Sequence, residues 1–483
     1  MGTQESRDIG SRREMFVDNF MVDELTGGAR LRLHRPQPEG VSLVFDRPWE
    51  GNSCGYGTVF ADGNYFRMYY RGSHVTHLQD RSESTPQVTC YAESSDGIHW
   101  HRPELGLCEF NGSSDNNIIL TPKTGRSATH NFCPFRDSNP EAPRSERYKA
   151  LGGNSADWGG DDLLGFVSPD GIRWEMVGDE PLITTGNFDS QNVSFYDNDS
   201  GQYRAYARDS REGRDIRTCC SEDYRHWSDP EFLEYDPDRT SQLYTNQVQP
   251  YYRAPHILLG LPTRYVERPW IPATDYLPQT EYRRLRASQS PRQGSAVTDT
   301  MLMAGRDGRH FRIWPESFLR PGLRGRNAWF YGDNYTALGM IETASRVSDA
   351  PRELSLFVSE GSHQRTSRRL RRYSLRVDGF ASAYAPLSGG ELVTPPLTFT
   401  GRKLLVNYST GAAGSLKVEI QSPGGDPVPG HGLKDAEEMF GDSLEQPILW
   451  EGGADVSGIQ ETPVRLRFVL RDADLYSFQF SQR

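Results

Sequence analysis

A seven-residue segment that occurs four times constrains this chain more than any other feature. It reads Ser94-Ser95-Asp96-Gly97-Ile98-His99-Trp100, then Ser168-Pro169-Asp170-Gly171-Ile172-Arg173-Trp174, Ser221-Glu222-Asp223-Tyr224-Arg225-His226-Trp227 and Gly305-Arg306-Asp307-Gly308-Arg309-His310-Phe311. Ser359-Glu360-Gly361 reads as a worn fifth copy. Each copy follows a β-rich run, and successive Asp positions lie 74, 53 and 84 residues apart. Similar units at that spacing mark a propeller or a solenoid. The local chemistry is that of a turn: the carboxylate accepts from backbone N–H groups, and Gly takes positive φ at no steric cost. These aspartates are expected to hold turns, so reactive groups belong elsewhere.

The runs between the repeats have a common order. Gly57-Thr58-Val59-Phe60, a turn on Asp62-Gly63-Asn64, Tyr65 to Gly72 and Val88 to Ser94 read as strand, turn, strand, strand. Four more units follow, the fourth broken by a polar, Arg- and Pro-rich insertion at 267–294. The fold class predicted is all-β: a five-bladed β-propeller over residues 46–378, followed by a C-terminal β-sandwich over 379–483, where period-two alternation resumes between Pro- and Gly-rich turns. Residues 1–45 are expected to pack on the propeller as an N-terminal segment.

Composition narrows the partners. With 54 basic and 65 acidic side chains the net charge is −11, which disfavours nucleic acid and suits neutral ligands. No run of 18 apolar residues exists, so no membrane span is expected, and residues 1–30 lack a basic-then-apolar signal pattern. A secreted or periplasmic location would require a signal already removed; otherwise the cytoplasm is expected. The six cysteines form no CxxC pair, and Cys219-Cys220 reads as two faces of one strand.

In a propeller the first strand of each blade lines a central funnel, so polar groups at those strand starts converge. The starts are Trp49-Glu50-Gly51-Asn52-Ser53, His130-Asn131, Phe188-Asp189-Ser190-Gln191-Asn192, Tyr244-Thr245-Asn246-Gln247 and Trp329-Phe330-Tyr331-Gly332-Asp333-Asn334. Two carboxylates at one pocket are what glycosidic cleavage needs, and Glu50 and Asp189 are the pair chosen. His130 is the candidate to donate a proton or a hydrogen bond. Candidate substrate-binding residues are Asn131, Gln191, Asn192, Asn246, the third carboxylate Asp333, and Arg264, whose fork suits a carboxylate or vicinal hydroxyls. Trp49, Tyr56, Tyr244 and Trp329 offer faces for sugar rings. The competing role for each is a turn cap, a salt bridge or blade packing. No metal-ligand spacing stands out and no cofactor is expected, although a propeller axis can hold a structural Ca²⁺.

With these units, the S-x-D-G-x-x-W closings and the trailing β-rich region, the chain resembles the five-bladed propeller glycoside hydrolases of families 32 and 43. That resemblance implies three acids on the inner strands of the first three blades. By position Glu50 matches the first-blade acid and Asp189 the third. The family 32 motifs W-M-N-D-P-N-G, R-D-P and E-C-P are absent, and the acid types at the first and third positions are exchanged. The closing repeat also resembles the Asp box of sialidases. The expected function is therefore a glycoside hydrolase acting on an oligo- or polysaccharide; a carbohydrate-binding propeller without catalysis and a protein-interaction propeller are the alternatives.

Overall fold

The computed structural model describes residues 6–156, 159–325 and 328–482 and is all-β. It divides into two compact units. One comprises Pro36–Tyr251 and Pro255–Leu375; the other comprises the chain up to Arg35, Tyr252–Ala254 and Arg376 onward.

The larger unit contains five main antiparallel sheets met in sequence order. The first is Gly55–Asp62, Tyr65–Gly72, Val88–Ser94 and Ile118–Leu120. The second is Cys133–Arg136, Tyr148–Asn154, Asp162–Ser168 and Glu175–Met176, and the third is Val193–Asp197, Gln202–Ser210, Arg214–Ser221 and Glu231–Phe232. The fourth is built on Ala254–Gly260, Met303–Gly305 and His310–Ile313, with a three-stranded annex of Gln242–Leu243, Thr263–Val266 and Val297–Thr300. The fifth joins Ile341–Thr343, Glu353–Glu360 and Arg369–Leu375 to Gln37–Val44, a strand that precedes all the others in the chain. The insertion folds as the helix Thr280–Gln289 and the short helix Pro291–Ser295.

The repeats are the turns the sequence predicts. Asp96 Oδ1 accepts from the N–H groups of Ile98 and His99, both at 2.8 Å, and Asp170, Asp223 and Asp307 repeat the pattern. Each turn also locks its sheet to the preceding one. Tyr69 of the first sheet donates to the Gly171 carbonyl at 2.9 Å, and Tyr206 of the third donates to Gly308 at 2.8 Å. Trp100 of the first sheet meets Phe357 of the fifth edge-on at 5.6 Å, and a Cβ on Gly97 would lie 2.7 Å from Ile341. Backbone bonds from Val59 to Leu338 and from Leu338 to Gly57 join the first sheet to the fifth as well. In the third copy Tyr224 occupies the glycine position at φ +66, and its buried ring packs on Phe135, Tyr203 and Trp227. Apolar clusters fill the spaces between sheets, each fully buried side chain contributing roughly 1.5–3 kcal/mol.

The sequence predicts one N-terminal segment over 1–45, whereas the strand pairings split it. Gln37–Val44 completes the fifth sheet. Arg7–Gly10, Arg13–Met15, Glu24–Gly27 and Arg30–Leu33 pair instead with Leu397–Phe399, Arg465–Ser481, Gly390–Val393 and Ala381–Ala385 of the smaller unit. The physical reason is edge pairing: those C-terminal strands offer open backbone groups, and the alternating N-terminal strands satisfy them. The long strands Lys403–Gln421 and Arg465–Ser481 run antiparallel through this unit over its own apolar core. No helix of the described residues is long and apolar enough to cross a membrane.

Candidate functional site

Five asparagines, one near the start of each sheet, are buried: Asn52, Asn131, Asn192, Asn246 and Asn334. Asn131 shows why. Its amide donates to the carbonyls of Gly153, Phe188 and Ser190 and accepts from Gly153 N–H, so it ties its own sheet to the approach of the next. Asn192 and Asn246 bind backbone in the same manner, Asn246 to Gln191 and Tyr206 of the preceding sheet. Gln191 donates to the carbonyls of Tyr56 and Gly57 and to Thr58 Oγ1, and accepts from Gln247 at 2.7 Å. These four predicted sugar ligands are saturated by protein.

The predicted carboxylate pair is not brought together. Glu50 is fully buried, ion-paired to Arg102 at 2.6 Å, and accepts from Tyr70 O–H and Arg47 N–H. Its pKa is raised by burial against the opposing pull of Arg102. Trp49 donates its indole N–H to Asn117 at 2.8 Å and packs on Phe110. Arg264 is held bidentately by Asp299. Trp329 donates to the Gly322 carbonyl.

Asp189 and His130 do meet, in a cavity of about 240 Å³. His130 ends the short 3-10 turn Arg126–His130, and Asp189 lies in the approach to the strand Val193–Asp197. His130 Nε2 lies 3.1 Å from Asp189 Oδ1, and Arg71 donates to His130 Nδ1 at 3.2 Å. Nδ1 also lies 3.0 Å from Gln87 Oε1, so the ring stands between the Asp189 carboxylate on one side and Arg71 and Gln87 on the other. Arg208 stands 3.4 Å from Asp189 Oδ2. Burial pushes the Asp189 carboxyl up, but the His130 hydrogen bond and the Arg208 and Arg71 charges outweigh it and bring its pKa down to about 2. Burial holds the His130 pKa below its ordinary value, against the pull of Asp189. Tyr56, Tyr244, Tyr331 and Tyr335 supply aromatic walls, and Arg292 and Arg368 complete the polar ones. Tyr56 at φ +51 and His363 at φ +54 both line the cavity in the left-handed region, strain that side chains keep only where the surroundings impose it.

Asp333 lies behind this wall. It is 2 % exposed and accepts from Ser362 N–H at 2.8 Å, while Oδ2 has no partner. Its backbone neighbour Gly332 and its partner Ser362 both line the cavity. Burial pushes its pKa up to about 7, opposed by the Ser362 bond and the Arg368 and Arg286 charges. A larger groove of about 640 Å³ runs over Arg211, Glu234 and Arg239, but its charges are neutralised within the protein: Arg211 and Arg239 each sit 3.0 Å from buried Asp215. Among the described residues no three His, Cys, Asp or Glu side chains group as a metal site.

Sequence reasoning thus reached Asp189, His130, Tyr56 and Tyr244. It missed Arg71, Arg292, His363 and Arg368. Arg71, in Tyr69-Tyr70-Arg71-Gly72, carried a signal as a charge within an aromatic strand, and Arg292 carried one by lying in the polar insertion.

No family model matches the chain. Two uncharacterized proteins of Mycobacterium tuberculosis, MT1551 and Rv1502, are 25% identical over 166 residues and 26% identical over 162, in each case 32% of this chain and 47% of the relative. The chain spans about half the length of these curated relatives. Solved structures similar to it include glycoside hydrolases. One described as a glycoside hydrolase is 12% identical with a TM-score of 0.44, covering 71% of this chain and 92% of that one. A thermostable family-43 glycoside hydrolase is 12% identical with a TM-score of 0.43, covering 72% and 96%. A glycosyl hydrolase from Bacteroides ovatus is 13% identical with a TM-score of 0.41, covering 74% and 97%.

Proposed function

We propose that the five sheets are the blades of a β-propeller accompanied by a β-sandwich, and that the chain is a glycoside hydrolase working in the Asp189 cavity. The observation that carries this reading is the Asp189–His130 pair, 3.1 Å apart in a tyrosine-walled cavity. Tyrosine faces accept the apolar faces of sugar rings, and fixed polar groups orient hydroxyls. Two carboxyls with pKa values pushed apart divide the acid and base roles. Asp189, ionised, takes the proton of the attacking water or itself attacks the anomeric carbon. Asp333, protonated up to about pH 7 and set behind Gly332 and Ser362 of the cavity wall, is the candidate source of the proton for the departing oxygen. The glycosidic C–O bond breaks, and water ends divided between the two products. His130 and Arg71 orient Asp189.

The test is turnover of an oligosaccharide panel by Asp189→Asn and Asp333→Asn, with folding followed by circular dichroism. Loss of roughly 10²–10⁴ in turnover from folded Asp189→Asn supports the assignment; near-normal hydrolysis overturns it. One observation favours a second reading, a carbohydrate-binding protein without catalysis: Asp189 is the lone carboxylate in the cavity lining. Sugar binding with no product from any bound sugar would establish that reading instead.

A further inference from the structure

We propose that the cavity takes a sugar carrying an anionic group, a uronate carboxylate or a sulfate ester, and that Arg292 meets the charge. This deepens the carbohydrate reading above and rests on it. Against a net charge of −11 for the whole chain, the cavity is lined by three guanidiniums, Arg71, Arg292 and Arg368, and by one carboxylate, Asp189. The two histidines of the lining, His130 and His363, have pKa values lowered by burial, His363 also by the Arg286 and Arg368 charges. Many other arginines of this unit are matched by carboxylates, among them Arg102 by Glu50, Arg67 by Asp62 and Arg264 by Asp299. Among the described residues, none of the three cavity arginines forms an ion pair with a carboxylate. Uncompensated cations in a low-dielectric site repel one another and cost free energy unless an anion joins them.

The three differ in what they have left to offer. Arg71 spends its fork on the Ser53 carbonyl and on His130. Arg368, 4 % exposed, donates to the carbonyls of Cys54 and Gly332 and to Ser359 Oγ; its buried Nε has no partner. Both are fixed charges that set the potential. Among the described residues the Arg292 side chain bonds only tyrosine hydroxyls, the Tyr331 contact being 3.4 Å, and its guanidinium lies 5.3 Å from the Tyr331 ring. Its fork is open to the bidentate grip that suits a planar carboxylate or a sulfate. Behind the wall, Arg286 is fully buried and, among the described residues, its three guanidinium nitrogens have no hydrogen-bond partner, which adds to the positive potential. A neutral sugar can accept hydrogen bonds from these groups but leaves their charge uncompensated.

The experiment is isothermal titration of the intact protein with galacturonate and glucuronate oligosaccharides, their methyl esters, the matching neutral oligosaccharides, and sulfated disaccharides. The acids or the sulfates should bind about tenfold or more tightly than the esters and neutral sugars, a preference that weakens with salt. Arg292→Gln should erase the preference with an unchanged melting temperature, and Arg292→Lys should keep part of it. The tighter of the two anion classes identifies the substituent. Equal binding of acid and ester, binding of none of these sugars, or a preference that survives Arg292→Gln overturns the proposal. Anion-selective binding without product upholds it and overturns the catalytic reading; hydrolysis of neutral sugars without anion preference does the reverse.

Discussion

Asp333 ties the cavity's chemistry to a stability that pH can read. Its carboxyl is 2 % exposed, holds one hydrogen bond and is pushed from an ordinary 3.8 up to about 7. Because the folded value is the higher one, the folded protein keeps a proton that the unfolded chain has released between those two pH values. The group's contribution is full below about pH 4, falls as pH rises, and is gone above about pH 7. Roughly three units at about 1.36 kcal/mol each give about 4 kcal/mol, of which about 3 kcal/mol falls between pH 5 and pH 8. With about 2.1 cal/mol/K of unfolding entropy per residue over the roughly 340 residues of this unit, that is a melting shift of about 4 °C. Asp333→Asn carries no titratable proton at this position. Calorimetry of both proteins at pH 5 and pH 8 isolates the term, since every other titrating group is common to the two. The wild type should lose about 4 °C more than the variant. Equal losses would mean that Asp333 stays ionised throughout, and would remove it as a proton donor.

Two substitutions test the structural assignments. Glu50→Gln leaves the Arg102 guanidinium, 14 % exposed, with only the exposed Asp46 at 3.2 Å as charge partner, and should cost about 1–3 kcal/mol by denaturant titration while the folded protein keeps its turnover; loss of turnover at full stability would restore Glu50 to the chemistry. Gly97→Ala forces φ +74 on a side chain and drives its Cβ to 2.7 Å from Ile341, at a cost of about 1–3 kcal/mol. Gly63→Ala, at φ +67 in open space, should cost visibly less in the same melt.

The turns were the most legible part of the sequence because their information is local. A Ser or Gly, an Asp and an aromatic within seven residues fix which N–H groups the carboxylate accepts, and four copies confirm one another. The destination of residues 1–45 was not legible, since which open edge a short strand joins depends on partners hundreds of residues away. The site was half legible. Asp189, His130, Tyr56 and Tyr244 stand at strand starts, where the repeat pattern pointed. Arg368 sits past the strand Glu353–Glu360 and Arg292 in an insertion without repeat character, so spacing from the repeats did not reach them. Net charge is blind to such detail for a related reason: −11 averages over the whole surface and does not report the three guanidiniums that line one cavity.

Polar residues at the starts of the inner strands answer two demands, and residue type tells them apart. Where the sheets come together, backbone groups at the strand ends have no ladder partner, and a buried N–H or C=O must find one. A side-chain amide carries donors and an acceptor together, which is why Asn131 can serve three carbonyls with its two N–H hydrogens, one of them shared, and accept from an N–H at once. Asn192, Asn246 and Gln191 meet the same need, and each such bond leaves less to offer a ligand. A carboxylate cannot donate, so it is unsuited to that task. At these positions Glu50 is neutralised in place by Arg102 and Asp189 is kept at a cavity by cations, Arg208 and Arg71, that hold it ionised, while buried Asp333 keeps its proton up to about pH 7. What separates the two cases is therefore whether the partner closes the carboxylate off. Arg102 seals Glu50 away from solvent, whereas Asp189, held from one side by His130 and Arg208, keeps 27 % of its side chain exposed to the cavity.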